Sequence, residues 1–150
     1  MESLRFRLVL SCILACVAGG SEAARRESRV FPGPVKANVL RVLDGDTFVA
    51  EAHLWPGQDL RINVRIRGID APEMKSRCQM ERILARQARD MLEELVDERP
   101  VLISNIAGAK YYGRVLADVH SETGEALGPA LLSLELVRAY AGGRRKGWCG

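Results

Sequence analysis

Apolar and polar residues alternate in two stretches that follow each other along the chain. Every second residue is apolar from Leu60 to Ile66, and the same pattern runs from Phe48 to Leu54. Successive side chains of a strand face opposite sides of a sheet, so this period predicts two half-buried strands. A further strand is predicted from Val35 to Leu43, and the dipeptide Asp44-Gly45 directly after it indicates a turn.

The period changes after residue 79, where apolar residues recur at helical spacing. The positions are Met80, Ile83, Leu84, Ala88, Met91, Leu92 and Leu95. They predict an amphipathic helix of about five turns that ends before Pro100. Two more strands are predicted at Val101–Ile106 and Gly113–His120, and a second helix at Pro129–Val137.

The predicted order is three strands, a helix, two strands and a helix (βββαββα). It predicts a mainly β fold of the α+β class, a five-stranded OB-fold Greek-key barrel with two or three appended helices. A parallel α/β fold would need a helix after nearly every strand and is excluded. The 150 residues fit one domain, and a composition of 47% apolar and 27% charged residues excludes a disordered or coiled-coil chain.

The first 23 residues have the pattern of a secretory signal peptide. Arg5 and Arg7 precede the apolar run Leu8–Ala18, and small residues lead to an expected cleavage site near Ala23. The run is too short to span a bilayer as a helix. A buried N-terminal helix and a lipid anchor through Cys16 are the alternatives. The pattern therefore predicts a secreted or periplasmic protein.

Three segments follow the cleavage site. Residues 24–34 hold several charged residues and the breakers Pro-Gly-Pro, which predict a flexible linker. Residues 35–141 form the predicted folded domain, and residues 142–150 form a basic tail. The formal net charge of +3 is too small to predict a nucleic-acid partner by itself.

Cleavage would leave two cysteines, Cys78 and Cys149. An even pair in an oxidising compartment predicts one disulfide, which would tie the tail to the domain, and two free thiols are the alternative. The cysteines and histidines lack the spacing of a zinc site.

Three carboxylates occur at predicted strand ends. Asp46 follows the turn after the first strand, and Asp70 and Glu73 lie in the loop after the third. Carboxylate oxygens are hard donors that suit Ca²⁺ or Mg²⁺, and a third carboxylate beside such an ion could take a proton from a water. Taken alone, the Asp-Gly-Asp pattern is more often a simple turn than part of a metal site.

Two arginines add the complementary charge. Arg65 and Arg114 have the opposite parity to the apolar residues of their strands, so both are predicted to point out of the barrel core. Guanidinium groups bind phosphate oxygens through fixed hydrogen bonds and can stabilise the charge of a phosphoryl transition state. Either arginine alone could be a solvated side chain, but the combination with the carboxylates favours phosphodiester chemistry.

Three segments resemble the staphylococcal nuclease (thermonuclease) family: Val42–Thr47, Arg65–Glu73 and Tyr112–Arg114, in that order and at similar intervals. The resemblance spans Val35 to Tyr140. It implies an OB-fold and a Ca²⁺-dependent phosphodiesterase that cuts DNA and RNA and leaves 3′-phosphate ends. Mg²⁺ and Mn²⁺ stay open, since carboxylates accept all three ions.

The resemblance also implies roles for single residues. Asp46 and Asp70 would be metal ligands, and Glu73 would be the general base that aligns water. Arg65 and Arg114 would be the clamps on the phosphate and on the transition state.

The sequence departs from the family pattern at several positions. Ala71 stands where Thr is common, which keeps the backbone carbonyl and loses a hydroxyl. Lys110-Tyr111 precedes Tyr112 where Asp-Lys is usual, and Glu135 stands where a helix-ending Gly is common. The residues expected to contact substrate are Lys110, Tyr112 and Tyr140, the last either as a base-stacking or as a packing aromatic.

The leading hypothesis is a metal-dependent nuclease, monomeric by default, that acts on DNA and RNA with water as the nucleophile. The first alternative is a catalytically silent OB module that binds single-stranded nucleic acid. Its acidic residues would repel that ligand, and only 5% of the residues are aromatic. The second alternative is a structural protein of the cell envelope.

Overall fold

In the part of the chain that the structure describes, five long strands build the core, and two helices and two very short strands lie around them. The computed structural model describes residues 30–97, 99–111 and 113–149. In chain order the elements are β1 (Val35–Asp44), β2 (Thr47–Trp55), β3 (Gln58–Ile66), β4 (Ile69–Asp70), α1 (Gln79–Leu95), β5 (Val101–Gly108), β6 (Arg114–Ser121), α2 (Leu127–Ser133) and β7 (Arg138–Ala139). The long strands and the helices follow the predicted order βββαββα.

The long strands close into a barrel in the order β1-β2-β3-β6-β5, and β5 pairs back onto β1. Neighbouring strands are antiparallel except β3 and β6, which are parallel. A parallel pair needs a crossover, and the chain makes it through α1 and β5. This mixed five-stranded barrel with two helices confirms the predicted OB-type fold class.

The barrel core is apolar, but only half of β3 contributes to it. Its fully buried strand residues include Phe48, Val64, Ile66, Val101 and Ile103, whereas Leu60 is 48% exposed. β3 pairs with β6 only from Asn63 onward. The first half of β3 therefore forms a hairpin with β2 that projects beyond the barrel, and the prediction of a half-buried strand is wrong for that half.

Helix α1 packs a face of small and apolar side chains against β1. Ala85, Ala88 and Leu92 are buried, at the spacing of one helix face. The helix comes very close to the turn before β2: a Cβ added at Gly45 would lie 2.5 Å from the Cβ of Ala88. Helix α1 therefore supports the turn between β1 and β2.

The chain after α2 turns back towards β4. Helix α2 starts and ends earlier than predicted, and Glu135, just beyond it, has a left-handed φ of 57° that redirects the chain. β7 then pairs with β4, with Arg138 opposite Asp70. This pairing places the C-terminal segment beside Asp70.

The predicted signal peptide 1–23, with Cys16, lies outside the described residues. Of the predicted linker 24–34, residues 30–34 are described, and Phe31 exchanges two backbone hydrogen bonds of 2.8 Å with Ile106 of β5. The folded part therefore already includes Phe31. In the described ranges, no helix is both long and apolar enough to cross a membrane.

Candidate active site

Asp46 is a buried carboxylate in the turn between β1 and β2, and its side chain is 2% exposed. The Thr47 hydroxyl donates to its Oδ1 at 2.7 Å, and the backbone N–H of Ala71 donates to its Oδ2 at 2.9 Å. Arg65 Nη1 donates to Oδ1 at 2.6 Å. A buried charge is tolerated when it is paired and hydrogen-bonded, and these three donors meet that need.

Asp44 lies beside Asp46 in the same turn. The Asp46 N–H donates to Asp44 Oδ1 at 3.2 Å. Burial first, and then the negative charge of Asp46, raise the pKa of Asp44 to about 7. From the sequence Asp44 is predicted only as a turn residue, although the Asp-Gly-Asp pattern already places the two carboxylates near each other.

Arg65 of β3 joins Asp46 to Asp70. The Asp70 side chain is 6% exposed, and its Oδ1 accepts from Arg65 Nη2 at 3.2 Å. Arg65 points out of the barrel core, since its neighbours Val64 and Ile66 are buried, yet its own side chain is only 17% exposed. One guanidinium thus lies between two buried carboxylates from different parts of the chain.

Glu73 is the third predicted carboxylate, and its side chain is 54% exposed. The loop that carries it is fixed by Glu81 in the first turn of α1. Glu81 accepts from the Glu73 N–H at 3.1 Å and from the Ser76 hydroxyl at 2.6 Å. Glu73 is therefore a positioned carboxylate that solvent can reach.

Arg145 of the C-terminal segment enters the same site. Its Nε pairs with Asp70 Oδ1 at 2.6 Å, its Nη2 donates to the Ala71 carbonyl at 2.7 Å, and its Nη1 donates to Glu73 Oε1. Desolvation lowers the pKa of Arg145, but the charges of the nearby carboxylates, Asp70 first, outweigh it and raise the pKa above its usual value.

The sequence does not predict Arg145 as a site residue and places it only in the basic tail. The one signal for its position is the cysteine that follows it. Cys149 is bonded to Cys78, which directly precedes α1, with a Cα–Cα distance of 6.5 Å. The disulfide returns the end of the chain to the loop that carries Glu73.

Arg114 lies at the start of β6, at the edge of the same site. Its Cζ lies 4.7 Å from the ring centre of Tyr111. Its Nε is buried and has no hydrogen-bond partner among the described residues. Buried N–H groups are almost always paired, so an unpaired one beside a cavity indicates a position for a ligand oxygen.

Two of the predicted substrate contacts, Lys110 and Tyr140, line one groove of about 1120 Å³. Lys110 Nζ lies 5.7 Å from the ring centre of Tyr111, and the Tyr140 hydroxyl donates to the Gly143 carbonyl at 2.7 Å. Tyr112 lies outside the described residues. The residues lining the groove include Arg65, Lys110, Tyr111, Arg114 and Tyr140.

A smaller cavity of about 400 Å³ adjoins this groove. Its lining includes Asp44, Asp46, Arg65, Glu73, Arg114 and Arg145. Four of these, Arg65, Glu73, Arg114 and Arg145, also line the groove, so the two spaces share a wall. The structure thus brings the predicted carboxylates and arginines to one end of the barrel and adds Asp44 and Arg145.

The oxygen atoms at this site suit a hard cation. Asp70 Oδ1 and the Ala71 carbonyl oxygen converge on one positive group, the Arg145 guanidinium. Carboxylate and carbonyl oxygens are the ligands that Ca²⁺ and Mg²⁺ take. Within the described part of the chain, no three His, Cys, Asp or Glu side chains form a ready metal cluster. Guanidinium groups lie between the carboxylates instead.

The sequence pattern of one protein family matches the chain. This family is described as staphylococcal nuclease homologue, and the match covers residues 63–145, more than half of the 150 residues. The matched range includes Arg65, Asp70, Glu73 and Arg114 but not Asp46. No curated protein matches the chain. Because the match covers more than half of the chain, the chain belongs to the staphylococcal nuclease homologue family.

Proposed function

We propose that this protein is a metal-dependent nuclease that hydrolyses the phosphodiester bonds of DNA and RNA with a base-activated water. Family membership supports a nuclease-like or nucleic-acid-binding OB-fold. One observation carries the proposal: Arg114, whose buried Nε has no hydrogen-bond partner in the described part of the chain, lines the same cavity as Glu73 and Asp46. A guanidinium donor can bind a phosphate while a neighbouring carboxylate takes a proton from the attacking water.

Glu73 is the proposed general base. Its carboxylate pairs with Arg145 but is 54% exposed, whereas Asp46 and Asp70 are buried in their ion pairs. In the proposed step Glu73 accepts a proton from a water whose oxygen attacks phosphorus. The bond from phosphorus to the 5′-oxygen breaks, the 5′-oxygen takes a proton from solvent, and a 3′-phosphate end remains.

Arg65 and Arg114 are the proposed clamps. Their N–H groups would donate to the non-bridging phosphate oxygens, whose negative charge grows in the transition state. The fixed fork of a guanidinium fits these oxygens better than an ammonium does. Lys110, Tyr112 and Tyr140 are proposed to contact the neighbouring nucleotides.

Asp46, Asp70 and the Ala71 carbonyl would hold the metal ion. We propose Ca²⁺, and the same oxygen donors also accept Mg²⁺ and Mn²⁺. A bound divalent ion supplies positive charge beside the phosphate. Ala71 offers its carbonyl without the hydroxyl that is common in the family, so the donor set does not depend on that side chain.

A nucleic-acid-binding protein without catalytic activity is the second candidate. Arg65 pairs with Asp46 and Asp70, and Arg145 pairs with Asp70 and Glu73. These ion pairs neutralise much of the acidic charge, so the site would repel a polyanion less than the sequence alone indicates. Binding without cleavage would favour this candidate.

Secretion through residues 1–23, a periplasmic or extracellular location and a monomeric state are parts of the proposal. The bond between Cys78 and Cys149 supports the location, because disulfides persist in oxidising compartments.

The test is cleavage of single-stranded DNA and RNA by protein expressed from the full sequence with its disulfide intact. We expect cleavage in Ca²⁺ and none in excess chelator. Glu73→Gln should lower the turnover rate by about 10²–10⁴ and leave the unfolding temperature unchanged. Glu93→Gln, the same change at an exposed position of α1, is the matched control. Wild-type turnover by Glu73→Gln would remove Glu73 from its role.

A further inference from the structure

Residues 140–149 form a loop that is held at both ends. Residues 140–149 are called the C-terminal strap. The strap follows β7, which is paired with β4. At its far end Cys149 is bonded to Cys78, and the Arg138 guanidinium lies over the Trp148 ring with its Cζ 3.8 Å from the ring centre. The two anchors hold the strap against the candidate active site.

The strap carries Arg145 onto the oxygens that the proposed reaction needs. The guanidinium pairs with Asp70 Oδ1 and donates to the Ala71 carbonyl, both proposed as metal ligands. It also donates to Glu73, the proposed base. By contrast, the neighbouring Arg144 is exposed and forms no hydrogen bond or ion pair with the described residues.

A guanidinium and a divalent cation compete for these oxygens. Asp70 Oδ1 already accepts from Arg145 at 2.6 Å and from Arg65 at 3.2 Å. An ion bound to Asp70 and to the Ala71 carbonyl would lie at contact distance from the Arg145 guanidinium. Two positive charges at that distance repel strongly where water is partly excluded.

We propose that Arg145 is a built-in competitor of the divalent cation, so that cation binding displaces it and Arg145 docking closes the site. This inference rests on the proposed function, because it takes Asp70 and Ala71 as metal ligands and Glu73 as the base. In either state the buried Asp70 keeps positive partners, and an uncompensated buried charge is avoided. With the strap docked, Glu73 is held by Arg145 and is not free to accept a proton from water.

The competition reduces the apparent affinity for the cation to its intrinsic value multiplied by the fraction of molecules in which Arg145 is undocked. If Arg145 is docked about nine-tenths of the time, removing it should tighten binding about tenfold. The test is calorimetric titration of the metal-free protein with Ca²⁺, for the wild type, Arg145→Gln and Arg144→Gln. Arg144→Gln makes the same charge change in the same strap and should bind Ca²⁺ as the wild type does.

Thermal unfolding gives a second readout that does not depend on activity. In chelator, Arg145→Gln should unfold at a lower temperature than the wild type, because Asp70 has lost a partner. Added Ca²⁺ should raise the unfolding temperature of Arg145→Gln by more than it raises that of the wild type. Arg145→Lys keeps the charge without the fork and should lie between the two.

The role of the disulfide as an anchor of the strap can be tested separately with the double variant Cys78→Ser/Cys149→Ser. Its strap has lost one anchor, so the effective concentration of Arg145 at the site falls and Ca²⁺ should bind more tightly. Equal or weaker Ca²⁺ binding by Arg145→Gln would overturn the competition, and so would the absence of Ca²⁺ binding in every variant. The nuclease proposal is tested independently by Glu73→Gln. If Glu73→Gln abolishes cleavage and Arg145→Gln shows no gain in Ca²⁺ affinity, the proposed competition is wrong and the nuclease proposal stands.

Discussion

Arg65 and Arg114 lie on the same face of two parallel strands, although they belong to different sequence motifs. In the register of β3 and β6, Arg114 is opposite Asn63 and Arg65 is opposite Leu116, so the two arginines are diagonal neighbours. Their surroundings differ. Arg65 donates to two buried carboxylates, whereas Arg114 Nε has no partner in the described part of the chain. Arg114 therefore has the donor that is available to a phosphate.

We expect Arg114→Lys to lower the rate of DNA cleavage in Ca²⁺ by about 10²–10³, the usual effect of losing one donor to transition-state charge. Lysine keeps the positive charge but not the fixed fork of donors. The control is Arg41→Lys, the same change at an exposed position of β1. The measurement is the turnover rate of each variant at saturating DNA. Equal rates for Arg114→Lys and Arg41→Lys would contradict the role of Arg114.

The barrel could be predicted from the sequence because each long strand carries its own signal. β2 and β3 alternate over several residues, and α1 repeats its apolar face over most of its length. β4 and β7 could not be predicted, since a strand of two residues has no period to detect. The exposure of Leu60 could not be predicted either, because it depends on where the neighbouring strand β6 begins.

The candidate site could be predicted only where its residues lie at strand ends. Asp46 directly precedes β2, and Asp70 and Glu73 follow β3. The start of β2 pairs with the end of β3, so the proximity of the three carboxylates follows from the strand pairing. The position of Arg145 depends on the pairing of β7 with β4 and on the disulfide of Cys149. Both are contacts between distant parts of the chain, which local periodicity does not encode.

Gly45 is expected to tolerate no larger side chain. A Cβ there would lie 2.5 Å from the Ala88 Cβ and 3.0 Å from the Ala71 Cβ, so α1 or the loop would have to shift. Gly45→Ala should lower the free energy of unfolding by about 1–3 kcal/mol, measured in urea. Gly108→Ala is the control, because a Cβ at Gly108 meets no atom within 4 Å. Two variants of equal stability would show that the turn is loosely packed.

Glu135 is expected to be replaceable by glycine with a gain in stability. Its φ of 57° is left-handed, a conformation that costs about 1–2 kcal/mol for a residue with a Cβ and little for glycine. Glu135→Gly should therefore raise the free energy of unfolding by about 0.5–1 kcal/mol. Glu94→Gly, in the last turn of α1, should lower it by about 1 kcal/mol. Thermal unfolding measures both, and a loss of stability at both positions would argue against strain at Glu135.

The raised pKa of Asp44 makes the metal-free protein less stable as the pH rises. The pKa is about 7 in the folded protein, against 3.8 for an ordinary aspartate. Between these values the unfolded chain has released a proton that the folded protein still holds. The free energy of unfolding therefore falls as the pH rises from about 3.8 to about 7. The contribution of Asp44 to stability is fully present below this window and no longer changes above it.

Asp44→Asn should remove this part of the pH dependence, because an amide does not ionise. In excess chelator the variant should match the wild type near pH 4 and exceed its free energy of unfolding above pH 7 by about 4 kcal/mol. Urea unfolding at a series of pH values measures the difference. Asp97→Asn, at an exposed position just after α1, is the matched control and should follow the wild-type curve. Parallel curves for Asp44→Asn and the wild type across the window would mean that Asp44 is ionised in the folded protein and that its burial beside Asp46 is offset by other groups.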